Sequence, residues 1–326
     1  MSNLAGACCL VTGGAGFIGS TIVDQLLNAG AAEVRVVDNF VRGSWNNLEP
    51  ALRRGGVRVI EGDIRDARLV DRSTDGVDYV FHQAALRITR CAEAPREAVE
   101  VLVDGTFNVL DACLRYKVKK ISAASSASVY GEPSYLPVDE SHPFNNRTMY
   151  GGCKIATEQM LRSLHDTSGL RYVAFRPFNV YGPRMDIAGV YTEVLIRWLD
   201  AIEAKQPPLI FGDGSQSMDF VYVEDVARAY LLGVQTEIED DVFNIGTGVQ
   251  TSLIELCTKL LDIAGSSLKP EFREARRVGN VQRRQAAIEK ADRLLGFRAT
   301  VSLEQGLREL IRWRKEAKSA ASVEAQ

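Results

Sequence analysis

The chain has 326 residues, of which 46% are apolar and 25% charged, and a net charge of −3. That is the make-up of a soluble globular protein with one large or two modest domains and ample core. The near-neutral balance excludes a long-range pull toward nucleic acid or an anionic membrane, and no apolar run reaches the roughly 18 residues a membrane span needs.

Residues 7–12 (ACCLVT) form a short apolar run that stops at Gly13-Gly14-Ala15-Gly16-Phe17-Ile18-Gly19. A helical pattern follows, with Ile18, Ile22, Val23, Leu26 and Leu27 on one face and Gly30 as its stop. Residues 33–38 are a second buried strand ending in Asp38. Strand, glycine turn, helix, strand and acid fill one βαβ unit. The glycines let the backbone turn tightly and approach a pyrophosphate, which then sits at the positive helix N-terminus. Asp38 can accept both ribose hydroxyls, and its charge would repel a 2′-phosphate, so NAD is favoured over NADP. A tight loop without ligand would not require strand, helix and acid to fall together.

Alternation continues with strands at residues 57–64 and 77–82, the latter leading into Gln83-Ala84-Ala85-Leu86-Arg87. The small Ala84 and Ala85 let a dinucleotide pass closely. A helix over 95–116 and a fifth strand over 120–124 come next. Repeated βα units predict an α/β fold with a doubly wound parallel sheet and its ligand across the carboxyl ends of the strands. Ser125-Ser126-Ala127-Ser128-Val129-Tyr130-Gly131 follows the fifth strand. Serines there can donate to a sugar hydroxyl or shuttle its proton, although a plain polar turn fits the composition equally well. On the next helix, residues 150–165, Tyr150 and Lys154 stand one turn apart on one face. A phenol with a pKa near ~10 is too weak a base at neutral pH, and an ammonium within about 4–6 Å lowers it by roughly 1–3 units. Tyr-x-x-x-Lys also arises by chance, so its spacing alone assigns nothing.

A sixth strand over 170–176 ends in Pro177-Phe178-Asn179-Val180-Tyr181-Gly182-Pro183, a junction that also reads as a domain boundary. Helices are expected over 190–204, 223–233, 252–264, 287–295 and 303–314, with a further strand over 242–246 returning to the first domain. Residues 5–177 with 223–247 are therefore expected to form the dinucleotide domain, and 178–222 with 248–314 a smaller, mostly helical substrate lobe. Residues 315–326, polar with Ala and Ser, read as a disordered tail. The six scattered cysteines lack metal-ligand spacing and read as reduced thiols. The three histidines stand far apart along the chain, and no metal is expected. No Lys or Arg precedes Arg35, so the start lacks a signal peptide's basic region, and a cytoplasmic location is expected.

Gly13-x-x-Gly16-x-x-Gly19 with Tyr150-x-x-x-Lys154 downstream resembles the extended short-chain dehydrogenase/reductase family, from about Ala7 to about Trp313. Within it the chain is most similar to the nucleotide-sugar epimerases and dehydratases, and closest to the UDP-sugar 4-epimerases. The resemblance implies a Rossmann-like domain holding NAD. Gly13, Gly16, Phe17, Ile18 and Gly19 would cradle its diphosphate, with Asp38, Asn39 and Gly43 at the ribose. Asp63 and Ile64 would meet the adenine. Ala84, Ala85, Arg87, Ser125, Pro177 and Val180 would border the nicotinamide half. It implies catalytic roles for Ser126, Tyr150 and Lys154. Substrate contacts would fall to Ser126, Ser128 and Asn179, with Leu209 and Phe211 flanking a pyrimidine and Arg277 on phosphate. A homodimer is implied, through helices 95–116 and 150–165 packed as a four-helix bundle.

The departures from the family pattern are informative. Related dehydratases carry an acidic pair at the positions of Ala127 and Ser128, and decarboxylases a Glu at the latter. Elimination from a 4-keto sugar needs such an extra acid or base. Met218 stands where relatives have an Arg, leaving Arg277, with Arg184 in reserve, for the diphosphate. Leu102 stands where relatives often place an Asn. Arg284 occupies a position bordering the sugar, where it either faces solvent or meets a carboxylate. The expected activity is an NAD-dependent 4-epimerase of a UDP-hexose such as UDP-glucose/galactose, UDP-N-acetylhexosamine or UDP-glucuronate, through a 4-keto intermediate. The alternatives are a dehydratase, decarboxylase or reductase of the same family, or a non-catalytic NAD-binding protein.

Overall fold

The computed structural model describes residues 4–187, 194–274 and 281–324. The first half is a run of βα units: β1 (Cys8–Thr12), α1 (Phe17–Asn28), β2 (Glu33–Asp38), α2 (Trp45–Arg54), β3 (Val57–Glu61), α3 (Ala67–Thr74) and β4 (Tyr79–His82). Helices α4 (Ile88–Glu93) and α5 (Pro95–Val99) follow, and α5 runs through a widened π-helical stretch, Glu100–Gly105, into α6 (Thr106–Arg115). Strand β5 (Lys120–Ala124), a 3₁₀ turn (Ala127–Tyr130), α7 (Met149–Ser168) and β6 (Tyr172–Pro177) complete that half. Beyond it come β7 (Asn179–Tyr181), α8 (Val194–Glu203), β8 (Leu209–Phe211), β9 (Ser217–Tyr222), α9 (Val223–Gln235) and β10 (Asp241–Ile245). The chain ends with β11 (Gln250–Ser252), α10 (Leu253–Ala264), β12 (Glu271–Arg273), α11 (Glu289–Leu295) and α12 (Leu303–Glu324).

Seven strands form one parallel sheet in the order β10-β6-β5-β4-β1-β2-β3. Its central strands are apolar almost throughout because helices cover both faces, as a parallel sheet requires. One face buries Val11, Ile22, Val36, Phe175 and Tyr230 beneath α1 and α9. The other buries Leu10, Val80, Ile121 and Leu161 beneath α3, α6 and α7. Strand order reverses between β4 and β1, which opens a crevice at the carboxyl ends of the strands there.

A further core packs around Tyr181 of β7, Phe220 of β9, and Trp198, Leu256 and Leu307 of α8, α10 and α12. Two small sheets, β11-β9-β7 and β12-β8, join these helices. Phe178 alone separates β6 from β7, and β9 passes into α9 with no residue between them. Residues 315–324 are not a tail: α12 continues through them. Ala, Lys and Glu are strong helix formers, and Arg314 and Lys318, one turn apart, pair with Asp200 of α8 at 2.8 and 3.1 Å. Among the described residues, no helix is long and apolar enough to cross a membrane. All six cysteines are free thiols.

Candidate active site

The crevice at the reversal point is a cleft of about 1640 Å³. Its floor is the glycine turn. Gly13 has φ +68°, and a Cβ there would meet the Ala84 nitrogen at 2.7 Å. A Cβ on Gly19 would fall inside the Gly13 carbonyl. Helix α1 opens behind Gly16 with no side chain capping it, so its first N–H groups are left for an anion. At the end of β2, the Asp38 carboxylate accepts from the Ala15 and Phe40 N–H groups, both at 2.9 Å. Burial pushes its pKa up while those bonds favour the charge. Gly43 has to be glycine here, since a Cβ would lie 2.7 Å from the Asp38 oxygen. An uncapped helix start, a turn with no room for side chains and a carboxylate beyond it fit a dinucleotide with a free ribose 2′-hydroxyl.

The structure brings the residues expected at a cofactor to this one cleft. Phe17, Ile18, Asn39, Asp63, Ile64, Ala84, Ala85, Arg87, Ser125, Pro177 and Val180 all border it. Asn39 and Arg65 hold Asp63 at 2.9 and 2.8 Å, and the Arg65 bond holds its pKa down at about 2. Arg87 pairs with Asp186 at 2.5 Å, and Arg42 reaches the same carboxylate at 3.4 Å.

Ser126, Ser128, Tyr150 and Lys154 line the cleft beside them. Ser126 caps the 3₁₀ turn, its Oγ accepting from the Ser128 N–H at 3.1 Å, and its side chain acts on Tyr150 to favour the ionised phenol. Thr148 caps α7 and so fixes where Tyr150 enters the helix. Lys154 is fully buried; its Nζ donates to the Ala124 carbonyl at 2.6 Å and lies 5.9 Å from the Tyr150 ring centre. Burial lowers its pKa to about 8. The expected lowering of the Tyr150 pKa by Lys154 is not what this arrangement shows. Burial raises the phenol, against the opposing influence of Ser126 and the charge of Arg42, so Tyr150 rests as a neutral phenol.

One helical turn past Lys154, Glu158 is buried and bonded to the Ser125 hydroxyl. Arg176 clasps the same carboxylate at 2.8 and 2.6 Å and passes on to the Tyr130 hydroxyl at 2.7 Å. Tyr130 in turn donates to Asn244 at 2.6 Å. This network ties β5, α7, β6 and β10 together directly behind the serine turn.

The model for the NAD dependent epimerase/dehydratase family matches residues 9–246. The chain belongs to that family. It is therefore an NAD-dependent enzyme of that family. UDP-glucose 4-epimerase of Mycolicibacterium smegmatis is 35% identical over 301 residues, 91% of this chain and 95% of that protein. Among solved structures, UDP-glucose 4-epimerase of Thermotoga maritima with UDP-glucose superposes with a TM-score of 0.89 at 34% identity, covering 95% of this chain and 99% of that one. UDP-N-acetylglucosamine 4-epimerase of Methanobrevibacter ruminantium with UDP-N-acetylmuramic acid gives 0.91 at 32% identity, covering 96% and 99%.

Of the residues expected at a substrate, Asn179 borders the main cleft, whereas Leu209 and Phe211 line a second cavity of about 610 Å³. Arg197 and Gln216 border both cavities and so stand at their junction. Sequence reasoning missed Arg197, although an Arg between Ile196 and Trp198 is a visible break in an apolar stretch of α8. The reserve Arg184 is tied to Asp24 of α1 at 2.7 Å. Arg277 lies outside the described residues. Leu102 is buried against Cys91, Ala98 and Cys153, with Tyr150 beside them.

Proposed function

We propose that the protein is a nucleotide-sugar 4-epimerase acting on a UDP-hexose. The observation that carries this is Tyr150, beside Ser126 and one turn from a buried Lys154, in the cleft that fits NAD. The activities of the M. smegmatis, T. maritima and M. ruminantium relatives support it. Ala127 and Ser128, where an eliminating enzyme needs a carboxylate, weigh against a lyase.

Bound NAD would supply the oxidising and reducing halves of the reaction at one sugar carbon. Once ionised in the filled site, Tyr150 Oη would take the proton of the C4 hydroxyl and return it, with Ser126 Oγ aligning that hydroxyl. Lys154 would hold the ribose next to the nicotinamide and place a positive charge beside the phenol once the site is filled. Leu209 and Phe211 would grip the base, and Asn179, Arg197 and Arg277 the diphosphate, leaving the hexose loosely held.

The test is C4 inversion of UDP-glucose, UDP-N-acetylglucosamine and UDP-glucuronate by the holoenzyme, with NADH followed in parallel. Inversion without net NADH is expected, and Tyr150→Phe should lower kcat by at least about a hundredfold. Net NADH production would instead mark a dehydrogenase, and release of water or carbon dioxide a lyase. No inversion of any sugar, with Tyr150→Phe silent, overturns the proposal.

A further inference from the structure

Arg284 sits in an extended segment pinned on both sides. Its N–H donates to the Ser217 carbonyl at 2.9 Å, while the Gln285 carbonyl and the Ala287 N–H bond both backbone groups of Val138, each at 2.8 Å. Ala286 packs with Ala127, Val129, Tyr130 and Phe178. The segment therefore lies on the turn that carries Ser126 and Ser128. Residues two apart in an extended segment share a face, so Arg284 projects to the same side as Ala286. It borders the cleft that holds Ser126 and Tyr150.

Among the described residues this guanidinium has no fixed counterion. Its Nε is buried without a hydrogen-bond partner, and among the described residues Arg284 makes no ion pair. Glu132 is the carboxylate that acts on it, and that group already accepts from the Gln282 N–H at 3.2 Å. Burial lowers the Arg284 pKa, the mark of a charge that has lost part of its water. A desolvated guanidinium without a partner is costly, and an anion supplied by the ligand would relieve it. Two anions are within the chemistry of a nucleotide sugar: the diphosphate and a carboxylate on the sugar. The junction at Arg197 and Gln216, next to the base cavity, belongs to the diphosphate, whereas Arg284 lies over the serine turn at the sugar end.

Resting on the 4-epimerase reading, we propose that Arg284 reads a carboxylate on the hexose, so that the site prefers a nucleotide-linked uronic acid to a neutral hexose. The test compares kcat/KM for UDP-glucuronate and UDP-glucose in the holoenzyme, Arg284→Leu and Arg284→Lys, with NADH fluorescence and circular dichroism to check each variant's fold. Wild type should favour the uronate by at least about tenfold, the worth of one charge-assisted bond. Arg284→Leu should lose about tenfold to a hundredfold on the uronate and stay within about threefold on UDP-glucose. Arg284→Lys should recover part of the loss. Equal losses on both sugars would make Arg284 a phosphate contact and overturn the proposal. So would a wild-type preference for UDP-glucose, or an Arg284→Leu variant that behaves as wild type. Should neither sugar be inverted, the 4-epimerase reading fails separately. Competitive binding of the same two sugars to the Tyr150→Phe holoenzyme then still decides whether Arg284 selects the acid.

Discussion

Replacing Arg176 by Met tests whether the buried network behind the serine turn holds the fold together. Both side chains of the pair are nearly inaccessible, at 3% for Arg176 and 8% for Glu158. Arg176 makes two bonds to Glu158, one to Tyr130 and one to the Glu140 carbonyl at 3.1 Å. Met fills much of the same volume but strands the Glu158 carboxylate with the Ser125 hydroxyl alone. Breaking one side of a buried pair costs about 3–5 kcal/mol, most of it the uncompensated charge. For a chain of this size that is a fall of roughly 4–7 °C in Tm. The stranded carboxylate will bind a proton more readily than an ordinary Glu, so the deficit should be larger at pH 8 than at pH 5.5. Arg176→Met/Glu158→Leu removes both charges and should recover most of the loss. Thermal unfolding of wild type and the two variants at both pH values is the assay. A single-variant cost below about 1 kcal/mol, or a double variant no better than the single, would refute the reasoning.

Two further predictions follow from the cofactor side. Lys154 has a folded pKa of about 8, below its ordinary 10.5. Below pH 8 both the folded and unfolded chains hold the proton, and the cost of burying the ammonium is paid in full. Between pH 8 and 10.5 only the unfolded chain stays protonated, so wild-type stability relative to Lys154→Met should rise across that window and level off above it. A stability difference that is flat with pH, measured on NAD-free protein, would contradict this. Gly19→Ala forces a methyl into the Gly13 carbonyl. It should weaken NADH binding at least tenfold, or about 1.4 kcal/mol, in a fluorescence titration; an unchanged Kd would show that this turn does not hold the dinucleotide.

The parallel sheet was legible because its strands are short, mostly apolar runs alternating with helical patterns, and local pattern is enough to see that. Tyr150 and Lys154 were legible for a similar reason, since helical spacing puts them on one face. Arg176 and Glu158 were not, because they lie on different elements and nothing in either neighbourhood points to the other. Nor were β7, β8 and β9 foreseen as strands. Two of them are three residues long, too short for alternation to show. The end of α12 was misread because a polar, Ala-rich stretch resembles a tail until its acidic partners on α8 are in place. Tyr150 also shows a limit of spacing arguments: a one-turn separation says nothing of burial, and burial sets its charge.

Two of the crossings between the two parts of the molecule have a mechanical consequence. A hinge needs a few residues free to change φ and ψ. Phe178 is the whole link between β6 and β7, and β9 and α9 share no link at all. A jaw-like motion would have to tear strand pairing or unwind a helix end at these points. The walls on either side of Tyr150 thus keep their spacing there. An inserted residue at Phe178 would be felt as a loss of alignment between the two halves of the cleft long before it was felt as a loss of fold.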